Sequence, residues 1–135
     1  MKKAVFVIMS LAVIVMISHG PIAQAMSSAQ DQKAVVPLEG LDPVMLVQGK
    51  EVMGKEEISI TRGGFQYWFA NAENKAKFEK EPTRYEIQMG GSCPVVPGAT
   101  GNPDLFVVHK ERIYIFATNG CVAEFKADPD KFVKP

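Results

Sequence analysis

YWFANAENKAKFEKEPTRY (residues 67–85) and YIFATNGCVAEFKADPDKF (residues 114–132) are one pattern written twice, 47 residues apart. Identical residues fall at Tyr67/Tyr114, Phe69/Phe116, Ala70/Ala117, Ala76/Ala123, Phe78/Phe125 and Pro82/Pro129, and Glu81/Asp128 and Tyr85/Phe132 are conservative pairs. Each copy predicts an apolar, aromatic strand, then a polar capping residue, then a helix of two to three turns that carries Phe78 or Phe125 toward the core. Proline follows just past the helix, where it no longer breaks one. The aromatic three residues later is expected to fold back onto the sheet.

A partner strand precedes each copy. EISIT (residues 57–61) turns at Arg62-Gly63-Gly64, and LFVVH (residues 105–109) turns at Lys110-Glu111. Gly63-Gly64 and Gly90-Gly91 suit turns with positive φ. A strand, hairpin turn, strand, helix unit is too small to bury its own apolar face. Two of them are therefore expected to pack as one small α+β domain.

The start of the chain predicts export. MKK, an apolar run over residues 4–17 and the Ala23-Gln24-Ala25 cleavage pattern describe a signal peptide of residues 1–25. The apolar run is 14 residues, against the roughly 20 of a membrane-spanning helix, so no stable membrane anchor is expected after cleavage. Residues 26–36 are polar and unpatterned and read as a flexible lead-in. The domain is expected over 37–135, with unit one at about 40–91, a Gly- and Pro-rich linker at 92–103 and unit two at 104–133.

Cleavage removes Lys2 and Lys3 and leaves 13 basic residues against 15 acidic ones. That balance offers no footprint for nucleic acid. Catalytic signatures are missing too: the chain has no C-x-x-C, H-E-x-x-H or G-x-S-x-G, and no phosphate-cradling glycine loop. His109 is the single histidine left after cleavage, and at a hairpin edge it reads as solvated or hydrogen-bonded. Glu56-Glu57 and Asp128/Asp130 read as solvated faces. The expectation is a non-catalytic protein.

The cysteines carry the chemistry. With Thr118 or Asn119 as N-cap, Cys121 enters the first turn of a helix, where free N–H groups and the positive dipole end favour a thiolate. Cys93 lies in GGSCPVVPGATGNPD (residues 90–104), whose geometry the sequence leaves open. In an oxidising compartment, three states of the pair stay open: a Cys93–Cys121 disulfide, a soft-metal site and two free thiols. The disulfide would contribute about 3.5 kcal/mol by chain-entropy arithmetic. The metal site would hold Cu(I) or another soft ion on Cys93 and Cys121, with the Met89 thioether as a third candidate ligand. Met89, like Met45 and Met53, has packing as its plainer reading. A thiol-redox role is the weakest option, since no second motif accompanies Cys121.

Phe65, Tyr67, Trp68 and Phe69 crowd one strand. Such a strand is buried on both faces, here by packing between the two copies, or it offers Phe65, Tyr67 and Trp68 to an unidentified protein partner.

Nearly all of the chain beyond residue 37 resembles the YHS domain family. GLDPVMLVQGKEVMG (residues 40–54) is similar to the family's Gly-x-Asp-Pro-Val opening, and residues 63–91 to its core of aromatic strand, short helix, acidic-Pro stop and closing Gly-Gly. The resemblance implies two fused YHS-like units; with the signal peptide, the expectation is an exported, periplasmic protein. It also implies heavy-metal ligands just after the strand and in the first helical turn. Those positions hold Ala70 and Asn74 in the first copy, and Ala117 and Cys121 in the second. Only Cys121 inherits a ligand position.

Overall fold

The computed structural model describes residues 33–134. The expected signal peptide and most of the lead-in lie outside the described residues. The architecture is α+β, with two antiparallel hairpins, each followed by a helix. In order, the elements are a 3-10 turn (Leu38–Gly40), α1 (Pro43–Leu46), β1 (Lys55–Arg62), β2 (Phe65–Phe69), α2 (Ala72–Lys80), α3 (Pro82–Tyr85), a second 3-10 turn (Gln88–Gly91), β3 (Asn102–His109), β4 (Arg112–Phe116), α4 (Asn119–Ala127) and a last 3-10 turn (Pro129–Lys131).

The repeat extends to details that composition does not carry. In both hairpins the register slips at matching places, between Lys55 and Ser59 and between Asn102 and Phe106. Asn71 caps α2 by accepting from the Asn74 N–H at 2.9 Å, and Thr118 caps α4 by accepting from the Cys121 N–H at 3.3 Å. Pro82 and Pro129 each open a further short turn at its first position, where a missing N–H costs nothing. Tyr85 is buried against the first cluster, while Phe132 lies half-buried 6.2 Å from the Phe125 ring.

The hairpin turns differ. Gly63 and Gly64 supply positive φ at +60° and +83°, whereas Lys110 and Glu111 adopt +48° and +58° with side chains attached. Lys110 meets Asp130 at 2.5 Å and Glu111 meets Arg84 at 2.9 Å, two exposed pairs that orient the strained tip.

Two apolar clusters form the interior, and β4 joins them. Ile113 and Ile115 point into the first, with Leu38, Val44, Tyr67, Phe69 and Phe78. Tyr114 and Phe116 point into the second, with Phe125, Val133 and both cysteines. Period-two alternation thus makes β4 the strand buried on both faces.

That corrects the expectation for β2. Tyr67 and Phe69 are core residues, and at 2 % exposure Tyr67 presents nothing to a partner. Phe65 is partly buried against the same cluster and lies near Gly91. Trp68 is half-buried on the opposite face, over Gly40 and Gly54. Its counterpart in β4, Ile115, packs in the same way over Gly91 and Gly101.

Ordered pairing also begins within the lead-in. Val35 forms a parallel bridge with Phe65, its N–H reaching the Gly64 carbonyl at 3.1 Å and its carbonyl accepting from Gln66 at 2.8 Å.

Candidate functional site

Residues 92–103, read from sequence as a linker, follow the same path as the opening of unit one. Gly40-Leu41-Asp42-Pro43-Val44 corresponds to Gly91-Ser92-Cys93-Pro94-Val95, 51 residues on. Both segments leave a left-handed turn, with φ of +62°, +54° and +79° over Leu38, Glu39 and Gly40, and +56°, +60° and +84° over Met89, Gly90 and Gly91. The Asp42 N–H donates to Val52 O at 2.8 Å, and the Cys93 N–H to Ala99 O at 2.8 Å. Gly54 N donates to Gly40 O at 2.9 Å, and Gly101 N to Gly91 O at 2.8 Å. The backbone is the same; the acceptor it presents is not.

In unit one the acceptor is the Asp42 carboxylate, fully buried. Oδ1 receives the N–H groups of Val44 at 2.8 Å and Met45 at 3.2 Å, and Oδ2 receives Ala70 N–H at 2.8 Å and the Asn74 side-chain amide at 2.7 Å. One carboxylate therefore ties α1, the end of β2 and the first turn of α2 together. A buried polar group is tolerated when its hydrogen bonds are satisfied in this way.

In unit two the Cys93 sulfur takes that place. Backbone N–H groups of Val95, Val96 and Ala117 face it, as does the Cys121 thiol. These are the counterparts of Val44, Met45, Ala70 and Asn74. Burial alone pushes the Cys93 thiol up, but donation by Ala117, Val96, Val95 and Cys121 together outweighs it and holds the thiol below the ordinary cysteine range.

Cys121 occupies the third position of α4 above the Thr118 cap, and its sulfur accepts from the Thr118 hydroxyl at 3.2 Å. The two cysteine side chains approach to 3.8 Å, while Cys93 is 1 % and Cys121 7 % exposed. Both are free thiols, and the separation is well beyond a disulfide bond of about 2.05 Å.

Met89 does not join them. It stands 52 % exposed at the rim of a separate cavity lined by Arg62, Phe65, Tyr67, Glu86 and Arg112. His109 lies 3.4 Å from Asp130 at the hairpin edge, its ring against Phe125. Among the described residues, no three His, Cys, Asp or Glu side chains gather as a metal-binding group. The donor set at the pair is two soft sulfurs without carboxylate or imidazole, which suits a low-coordinate soft ion and falls short of the four ligands of a structural zinc site.

Asp42 and the N–H of Ala117 are the residues that a reading of the sequence passes over. The signal for both was the match of Gly-Leu-Asp-Pro-Val with Gly-Ser-Cys-Pro-Val, displaced by four residues from the register of the longer repeat because the loop after Val95 is shorter. Comparison with protein-family models, with curated proteins and with solved structures found no match to this chain.

Proposed function

We propose that this chain is an exported, non-catalytic accessory protein of two YHS-like units, which holds one soft metal ion, copper(I) in the first instance, between Cys93 and Cys121. The observation that carries the reading is the 3.8 Å approach of two buried thiols, one of them already cradled by anion-stabilising N–H donors. Thiolates are the form in which cysteine binds metal, so a site that stabilises one before the ion arrives lowers the cost of binding. The first-turn position of Cys121, a ligand position in the family resemblance, adds support. A disulfide-stapled scaffold acting through protein contacts is the second reading, favoured by the same approach.

Anaerobic titration of the reduced protein with copper(I), against a chromophoric competitor, tests the metal reading. One ion per chain is expected, lost in Cys121→Ser and retained in Met89→Ala. A reduced wild-type protein that takes up no copper(I) would refute it.

A further inference from the structure

The chain has three arginines, Arg62, Arg84 and Arg112, and the fold gathers them around two neighbouring cavities. Arg62 is paired with Glu86, and Arg84 with Glu111 at 2.9 Å. Arg112 has no carboxylate partner among the described residues. Its Nη1 donates to two neutral oxygens instead, Gln88 Oε1 at 3.2 Å and the Thr83 carbonyl at 3.4 Å. Gln88 is itself held in place, because its side-chain amide donates to the carbonyls of Thr83 and Glu86, both at 2.9 Å. Nε and Nη2 of Arg112 are left without a partner among the described residues. They form the side-on fork that a carboxylate takes in two parallel hydrogen bonds.

Arg112 lines a cavity of about 240 Å³ together with Phe65, Tyr67, Ile87 and Met89. Arg62 and Glu86 also line it and offset each other, so a single positive charge is left unmatched. One negative charge answers it, whereas a dianion would overshoot. A smaller cavity of about 170 Å³ shares Thr83 and Arg112, but Arg84, Lys110 and Glu111 complete it and no apolar side chain lines it. The larger cavity therefore combines what the smaller lacks, an apolar wall beside an available guanidinium. Met89, left out of the cysteine pair, is held left-handed at φ +56° and stands 52 % exposed at the rim. Its flexible thioether suits a wall that adapts to an apolar group.

We propose that this cavity binds a small monocarboxylate with an apolar, ring-sized body, the carboxylate on the Arg112 fork and the body against Phe65, Ile87 and Met89. Its volume falls below the roughly 300–1,000 Å³ of sites for drug-sized molecules, which limits the ligand to about ten non-hydrogen atoms. The cavity shares no residue with the cysteine pair.

Phenylacetate is the probe, titrated into isotope-labelled, reduced, metal-free protein while backbone amide shifts are followed by NMR. Saturable shifts at Met89, Gly90 and Arg112 are expected at low-millimolar phenylacetate or below. Acetate lacks the body and phenylacetamide lacks the charge, and each should bind at least about tenfold more weakly. Arg112→Gln should weaken phenylacetate by the same factor. Arg84→Gln, which alters the smaller cavity, should leave it unchanged. Absence of a saturable shift with phenylacetate overturns the proposal, as does equal binding by phenylacetamide or to Arg112→Gln. Acetate or inorganic phosphate binding as tightly as phenylacetate overturns the amphipathic class and leaves a site for anions in general. Should Arg112→Gln fail to fold, Arg112→Lys keeps the charge without the fork, and an unchanged affinity there overturns the bidentate assignment. Copper(I) uptake is read in a separate titration, so failure of one site is distinguishable from failure of the other.

Discussion

Asp42 and Cys93 occupy one position in two halves of the same molecule, and their surroundings differ in a single donor. The backbone donors match pair by pair: Val44 with Val95, Met45 with Val96 and Ala70 with Ala117. The fourth donor differs. Asn74 gives Asp42 an amide hydrogen that cannot leave, whereas Cys121 gives Cys93 a thiol that can ionise, bind metal or form a bond. A carboxylate saturated by inert donors only holds elements together. The same backbone around a sulfur, with a second sulfur beside it, is the arrangement on which the proposed metal site rests.

The largest test of that contrast is the paired substitution of the two acceptors. Asp42→Ala strands three backbone N–H groups and the Asn74 amide in the core, and should cost about 4 kcal/mol, seen as a fall in Tm on the order of 20 °C. Cys93→Ala removes a weaker acceptor and should cost about 1–2 kcal/mol. Equal losses would break the comparison. A smaller difference is expected at the matching glycines, read by urea denaturation. An alanine Cβ at Gly54 would lie 2.4 Å and 2.6 Å from the Trp68 carbonyl carbon and oxygen and 2.5 Å from its Cβ, for about 3 kcal/mol; at Gly101 it would meet Ile115 Cγ1 at 2.5 Å and the Ile115 carbonyl carbon at 2.9 Å, a looser backbone clash, for about 2 kcal/mol.

Tyr67 has its repeat counterpart in Tyr114, but the buried bond of its hydroxyl to Ile87 belongs to the Asp42 half. Its oxygen accepts from Ile87 N–H at 2.9 Å, and burial pushes its hydroxyl up to about 12. The folded state then holds this proton more tightly than the unfolded chain, so the stabilisation is complete below pH 10 and is lost as pH rises toward 12. It amounts to about 2–3 kcal/mol. Melting curves across that window should fall more steeply for wild type than for Tyr67→Phe; parallel curves would count against the shift. The smallest effect is at the turns. Glu111→Gly relieves a left-handed residue that unit one fills with Gly64, and should stabilise by about 1 kcal/mol in urea denaturation despite loss of the exposed pair to Arg84.

How far the sequence could be read follows from how each feature is encoded. The hairpins, the capped helices and the α+β class are local patterns of period two and 3.6, with turn and cap residues at their ends, and they are legible. Cys121 in the first helical turn was legible for the same reason, while the choice of Thr118 over Asn119 as the cap came from the structure. The double burial of β4 was not, because RIYIF and FQYWF look equally apolar and only the packing of the two units decides between them. Nor was the niche around Cys93. A left-handed turn followed by Asp-Pro and one followed by Cys-Pro share backbone geometry rather than residue chemistry, so the second escapes a search for similar side chains.

The strand buried on both faces also sets the order in which the molecule is completed. Ile113 and Ile115 finish the interior that Leu38, Val44, Tyr67 and Phe78 begin, with more than 40 residues of chain between Tyr67 and the strand that covers it. Contacts so distant in sequence close late and slowly. The first half of the chain therefore cannot lock into its native form until the last quarter has been synthesised. A polypeptide entering a translocation channel N-terminus first would gain from that delay, because the domain stays threadable until its C-terminal hairpin is made.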